Sequence, residues 1–432
     1  MQRKSEDKRI FKTANYVELS LTLLLLVAFL ADVQVLILAA FSIASLFIVL
    51  SSNEKSVYYL AFFTSFAGIF VYQERHLFFV MAALFIIKFL LSNKLDKITF
   101  VYYLIIVCYA LAFKDTNGEL SFAKVIGLIL LFVIPVIANY SDRINCAELV
   151  QHYIFGFTIA TIIGFFVTDI PSMAKLFEYD LIWSDNSVEL TRFFGLAFDS
   201  NFYALSNFII TAYLLFAFEK INLFRGVLIL FFSIVGLQTV SKSYVIILGL
   251  LIVYYFIKNV FNVKKLILAV IILSIAMVLF NLISNVLNYD VLDVVLSRFV
   301  KGGSFFENTT GRADIWSDYL TLFSNANAKE ILFGFGFNAS AERAAHNTFI
   351  EFFFMYGLVG TGIWVAYFVH CWNLFRINAT KINNRSPIIF ICLMAGIFFL
   401  SAYTYEAFFM GIIIAFMTLV GGTKERESFR NV

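Results

Sequence analysis

The chain has 432 residues, of which 61% are hydrophobic and only 14% charged, with three prolines and a formal charge of +3. Soluble globular proteins carry about 25% charged residues, so this balance excludes that class. Repeated apolar runs of roughly 16 to 22 residues point instead to a polytopic helical membrane protein, and the small net charge gives no reason to expect a nucleic-acid partner.

The polar, basic N-terminus turns apolar near Val17, and a second apolar run follows almost at once. That order fits a retained first span better than a cleaved signal peptide. Spans are expected at 17–31, 33–50, 57–72, 77–92, 98–113, 120–138, 148–168, 199–219, 223–239, 243–260, 264–286, 346–374, 387–402 and 404–421. The fold class is therefore all-α: an integral membrane bundle of about 12 to 14 transmembrane helices, the lower figure applying if the first and last pairs are bent helices or re-entrant hairpins. Residues 1–432 read as a single polytopic membrane domain with two long outer segments, 169–198 and 287–345.

Charge orients the spans. With Arg3, Lys4, Lys8, Arg9 and Lys12 in the cytoplasm, the alternate loops on that side hold Lys55, Lys94, Lys97, Arg143, Lys220, Arg225, Lys258, Lys264, Lys265, Arg376, Lys381 and Arg385. The C-terminal tail adds Lys424, Arg426 and Arg430, which puts both termini inside. Basic residues inside then outnumber those outside about two to one, as the positive-inside rule requires. Half of the outer ones, Arg298, Lys301, Arg312, Lys329 and Arg343, sit in the 287–345 loop.

Within that loop, apolar residues at 315, 316, 319, 320 and 323 have helical spacing. They predict an amphipathic helix lying on the membrane surface with its Trp and Tyr at headgroup level. Phe333-Gly334-Phe335-Gly336-Phe337 breaks it, and Ala345-His346-Asn347 opens the next apolar helix, with Asn347 as its cap.

Several polar residues stand where chemistry could be done. Arg192, in Thr191-Arg192-Phe193-Phe194-Gly195, precedes Asp199-Ser200-Asn201 at the mouth of a span. An arginine there can hold a diphosphate through its planar fork, helped by a helix N-terminus. Lys242, between Ser241 and Ser243, is a second anion candidate; Arg312, beside Asp314, is a third, with Arg298 and Arg343 as weaker cases. His346 lies at a helix start, where the positive helix end favours the neutral imidazole that can accept a proton. Each has an ordinary reading too: headgroup anchors for Arg192 and Lys242, an exposed ion pair with Asp314 or Glu307 for Arg312, a backbone-bonded interfacial imidazole for His346.

The four cysteines, Cys108, Cys146, Cys371 and Cys392, have no paired spacing and read as buried small hydrophobes. No Asp-x-Asp pair, phosphate loop or metal-ligand cluster is visible in the sequence. A nucleotide-linked donor, a metal and a cofactor are therefore not expected.

Taken in order, Arg192-Phe193-Phe194-Gly195 with Asp199-Ser200-Asn201, Ser241-Lys242-Ser243, Gly311-Arg312-Ala313-Asp314-Ile315-Trp316, Leu332-Phe333-Gly334-Phe335-Gly336, Ala345-His346-Asn347-Thr348-Phe349 and Gly357-Leu358-Val359-Gly360 resemble the O-antigen polymerase and O-antigen ligase superfamily. The resemblance covers about 190–360; Lys242 departs from it, since many members have arginine there. It implies a membrane glycosyltransferase of the bacterial inner membrane whose active site faces the periplasm. Its substrate would be an oligosaccharide on undecaprenyl diphosphate, and its partners membrane lipid and a chain-length regulator protein. Arg192, Arg312 and His346 would be catalytic; Arg192, Lys242, Arg298, Arg312 and Arg343 would bind the diphosphate; Asn201, Asp314 and Asn347 would support them. The reaction implied is polymerisation of repeat units into O-antigen or a related surface polysaccharide. The alternatives are a ligase that transfers glycan to lipid A-core and, in a different class, a lipid-linked oligosaccharide flippase. The few charges within the spans and the polar residues gathered in outer loops disfavour the flippase.

Overall fold

The computed structural model describes residues 16–73, 75–92, 95–113, 122–177, 183–185, 188–190, 192–217, 221–263, single residues between 267 and 278, 312–337, 339, 343–378, 387–403 and 405–420. The chain is mostly helical, as the apolar runs predict. In order come α1 (Tyr16–Leu30), α2 (Gln34–Leu50), α3 (Asn53–Thr64), α4 (Phe78–Leu91), α5 (Lys97–Ala112), α6 (Phe122–Asn139), α7 (Cys146–Gly164), α8 (Pro171–Leu176), α9 (Ser200–Phe216), α10 (Leu223–Gln238), α11 (Lys242–Lys258), α12 (Arg312–Ser324), α13 (Ala328–Phe333), α14 (Thr348–Asn378), α15 (Pro387–Phe398) and α16 (Glu406–Val420). The expected span 264–286 lies mostly outside the described residues.

Short polar residues between the apolar runs start these helices. Asp96 accepts hydrogen bonds from the Ile98 and Thr99 amides, Asn145 from Ala147 and Glu148, and Asn222 from Arg225. Each satisfies donors that the first helical turn leaves unpaired. Pro171 and Pro387 stand at the first position of α8 and α15, where a missing amide hydrogen is harmless.

One expected span needs correction. Residues 57–72 are not one helix: α3 begins at Asn53, capped by Ser52, and stops at Thr64. A 3₁₀ turn, Ala67–Ile69, and a hairpin of β1 (Val71–Tyr72) with β2 (Arg75–His76) follow. The turn is forced by close packing, since a Cβ at Gly68 would sit 2.0 Å from the Leu196 carbonyl oxygen. The outer segment 169–198 likewise holds α8 and a hairpin of β3 (Trp183–Asp185) with β4 (Val188–Leu190).

α9 and α16 form the middle of the bundle and are buried almost all round, from Tyr203 to Leu214 and from Ala407 to Thr418. Outer helices bury one face and turn a second apolar face outward: Leu19, Leu23, Val27 and Leu30 on α1, and Ile246, Leu250, Val253 and Ile257 on α11. Cys371 and Cys392 are buried as expected, but Cys108 is exposed, because it shares the outward face of α5 with Val101 and Leu104. Among the described residues one helix, α14, is long and apolar enough to cross a membrane; others, including α1, α2, α4, α5, α9 and α10, are apolar but have 10–17 residues.

α14 is broken at Gly357 (φ 60°, ψ −165°). The Phe-Gly-Phe-Gly-Phe segment docks into that break. The Phe335 amide donates to the Phe354 carbonyl (2.8 Å), and the Tyr109 hydroxyl donates to Tyr356 (2.7 Å) and Phe333 (2.9 Å) carbonyls. A Cβ on Gly334 would lie 2.2 Å from the Met355 carbonyl oxygen, and one on Gly357 would lie 2.4 Å from the Gly334 amide nitrogen. Both glycines also have positive φ. Gly357→Ala therefore combines overlap with backbone strain and is expected to destabilise the protein by about 2 kcal/mol or more. Thermal unfolding of the purified variant measures this, and an unshifted transition would contradict the docking.

Candidate functional site

The Arg192 segment is shaped by its neighbours. The Phe193 amide donates to the Gln238 carbonyl (3.0 Å), tying the segment to the end of α10. Gly195 (φ 60°) lets it press against α7 and α9, since a Cβ there would lie 2.6 Å from the Tyr203 ring. Asp199 then caps α9, accepting from the Asn201 amide (2.5 Å).

These constraints aim the polar side chains at one another. Arg192 Nε donates to the Thr239 carbonyl (2.8 Å) and Nη2 to Asn201 Oδ1 (3.2 Å). The Ser241 hydroxyl donates to the same Asn201 oxygen (3.0 Å) and pairs with Ser243 Oγ (2.9 Å). Lys242 is the half-buried first residue of α11, between those serines. Two segments some forty residues apart, 192–201 and 239–243, thus meet in one network. Val240, just before Ser241, has φ 51°, a conformation that strains a β-branched residue.

A second group is built on α12. Its expected apolar face is real, but it packs on protein rather than lying free at a membrane surface. Ile315 and Tyr319 are buried with Ala345 and Phe354, Trp316 and Phe323 flank them, and only Leu320 of the five faces outward. Trp316 Nε1 donates to the Ala345 carbonyl (2.8 Å) and the Tyr319 hydroxyl to the Arg343 carbonyl (3.1 Å). Asn347 caps α14, its Oδ1 accepting from Phe349 (2.9 Å) and Ile350 (3.1 Å). Buried anchors on both sides thus hold His346, itself at φ 48°, with its side chain exposed.

The imidazole joins the two groups. Crowding by surrounding protein lowers its pKa below the ordinary 6.5, the Arg312 guanidinium lowers it further, and the Asp199 carboxylate opposes both. His346 is therefore within electrostatic reach of Arg312 on α12 and of Asp199 at the head of α9. It is neutral at pH 7 and able to accept a proton.

The link between the groups is the turn between α15 and α16, which sequence reasoning treated as a short connection. The Arg312 guanidinium lies 5.9 Å over the Phe399 ring. The Thr348 hydroxyl donates to the Leu400 carbonyl (2.5 Å) and accepts from the Ala402 amide (3.1 Å). Tyr405 stacks on Phe202 at 3.7 Å, beside Asn201. The available signal was compositional: Tyr403, Tyr405 and Glu406 interrupt two strongly apolar runs.

Not every expected residue joins. Arg343 pairs with Asp318 (3.4 Å), both more than half exposed, a contact worth about 0 to 1 kcal/mol. Asp314 is exposed on α12. Arg298, like Glu307, lies outside the described residues. Among the described residues, no group of three or more His, Cys, Asp or Glu could hold a metal.

The electrostatics of His346 give a direct expectation. Its imidazole should titrate below 6.5 by NMR, move upward in Arg312→Gln, which removes a positive neighbour, and move further down in Asp199→Asn. A midpoint unchanged in both variants would mean that the three groups do not share one site.

Compared with protein-family models, with curated proteins and with solved structures, the chain matches none, so the work of this site has to be argued from its own atoms.

Proposed function

We propose that the chain is a polytopic membrane glycosyltransferase that polymerises oligosaccharide repeat units carried on undecaprenyl diphosphate, with its site on the periplasmic face of the bacterial inner membrane. The observation that carries this reading is that His346 feels the charges of both Arg312 and Asp199, and Asp199 caps the helix that carries Asn201 of the Arg192–Asn201–Ser241 network.

The membrane reading is supported by the outward faces. Leu23 (61% exposed), Leu30 (64%), Leu104 (56%), Leu250 (56%) and Ile257 (67%) belong to apolar stripes on helices that are also apolar inward. In water such contiguous apolar stripes would be costly to expose; hydrocarbon covers them without penalty.

In the proposed reaction, the hydroxyl oxygen of an acceptor sugar attacks the anomeric carbon of the donor glycan. The bond from that carbon to the diphosphate breaks, and its electron pair leaves with the diphosphate. The hydroxyl proton goes to the neutral His346 imidazole. Arg192 and Arg312, with Lys242, stabilise charge on the departing diphosphate. Two of Arg192's donors fix its orientation on Thr239 and Asn201, and the Phe399 ring supports Arg312, so neither cation must reorganise during the step. The Lys88 ammonium is different: it is bonded to the Ile48 (3.0 Å) and Ser51 (2.5 Å) carbonyls at the end of α2, a structural role.

Four outcomes test the proposal. Purified protein given lipid-linked repeat units should form a ladder of longer products, and Arg312→Ala or His346→Ala should each slow this about 10²- to 10³-fold while the protein still reaches the membrane. Normal chain lengths from both variants would reject the assignment. Activity should be steady near neutrality and fall as pH drops through a value below 6.5, because protonation removes the base. Single cysteines replacing Lys55 and Asp318, in an otherwise cysteine-free chain, should label from opposite sides of the membrane. A deletion strain separates the ligase reading: loss of a polymerase leaves a single repeat unit on lipid A-core, whereas loss of a ligase leaves none.

A further inference from the structure

Beneath the Arg192–Asp199 segment lies a cleft of about 350 Å³, counting the part open to solvent. Its walls include Leu196 and Ala197 from that segment, Tyr153 from α7, Ser206 from α9 and Glu406 from the start of α16. The reaction derived above uses none of the last three.

Glu406 is the unusual member. It is half-buried at the head of α16, where its own backbone amide is one partner of its carboxyl, and further donors would make its charge less costly to hold there. Among the described residues no Arg, Lys or His forms an ion pair with it. Its neighbours on the cleft offer hydroxyls and aromatic rings instead. Its position is fixed from the adjacent residue, since Tyr405 stacks on Phe202, which also lines the cleft. The turn that carries Glu406 is the one that supports Arg312. A carboxylate repels a diphosphate, and a carboxylate with hydroxyls beside it does not suit a prenyl tail even where the rest of the lining is apolar. Hydroxyls, aromatic faces and one strong acceptor suit a sugar. The space in it that a water-sized group can enter is only about 20 Å³, room for one hydroxyl at its mouth rather than for a ring or a saccharide chain.

We infer that this cleft is a subsite for the acceptor saccharide, in which Glu406 accepts a hydrogen bond from a ring substituent, an O–H or an amide N–H, and so positions the attacking hydroxyl. This rests on the glycosyltransferase reading and adds the residue that would read the sugar. Glu406 is a positioning residue here, since the proton goes to His346.

The probe is the pool of undecaprenyl-diphosphate-linked saccharides extracted from source cells lacking this protein. Full-length protein and Glu406→Gln, which keeps shape but loses charge, are compared for acceptor KM and kcat. KM should rise about ten- to a hundredfold, the range for a hydrogen bond to a charged group, with kcat little changed. Ser206→Ala should raise KM less, and it carries the test if Glu406→Gln does not reach the membrane. Unchanged KM overturns the subsite, as does a fall in kcat alone. Failure of the wild-type protein to elongate any of the pool removes the glycosyltransferase reading and the subsite together. Elongation that is indifferent to Glu406 and Ser206 removes the subsite only.

Discussion

Backbone meets backbone where Gly334 touches Gly357, and the placement of α12 and of the described residues around His346 follows from that contact. Breaking α14 there leaves carbonyls without their helical partners, and a buried unpaired carbonyl costs about 1–3 kcal/mol. The Phe335 amide and the Tyr109 hydroxyl fill those positions. Phe335 then stacks on Phe354 at 4.3 Å, Phe354 meets Tyr319 at 4.9 Å, and α12 is thereby fixed over the head of α14. With α12 in place, Trp316 and Tyr319 can hold the carbonyls of Ala345 and Arg343. His346 inherits its position from this chain of contacts, because its backbone is already clamped on both sides.

The two halves of the site depend on different supports. Arg192, Asn201 and Ser241 are held by the ends of α10 and the starts of α9 and α11, while Arg312 and His346 are held by α12 and α14. The turn from Phe399 to Glu406 touches both. Two non-glycine residues with left-handed backbone, Val240 and His346, sit one in each half. Strain of about 1–3 kcal/mol persists only where surrounding contacts over-determine the conformation, and both residues are flanked by such contacts.

Much of this was legible in the amino-acid order. Apolar runs gave the helices, and Asp199 and Asn347 marked two of their starts, whereas the caps Asp96, Asn145 and Asn222 emerged only with the structure. The apolar face of α12 was legible too, but periodicity says which side is buried and not what buries it; the partner is Phe354 and its neighbours. The region 57–72 misled because hydrophobicity continues through a turn that only Gly68, pressed against Leu196, requires. The ordered pieces around Arg192, Lys242, Arg312 and His346 suggested one site without giving its geometry. The Phe399–Glu406 turn left no periodic trace, and a ring beneath a guanidinium cannot be inferred from spacing. Arg343 was overread because an exposed arginine near a site looks the same in sequence whether it faces a ligand or Asp318.

The bundle carries its other histidine–carboxylate contacts far from His346. His152 meets Glu18 at 2.7 Å and stacks on Tyr58, some twelve residues down α7 from the Gly164 that packs on Gly195, roughly 18 Å along the helix. His370 meets Thr99 (2.9 Å) and Asp96 (3.5 Å) near the far end of α14. On the proposed topology those pairs look toward the cytoplasm and His346 toward the periplasm. The contacts that tie α1 to α7 and α5 to α14 thus lie at a distance from the proposed chemistry, so the joints between those helices and the reacting groups are built from separate sets of side chains.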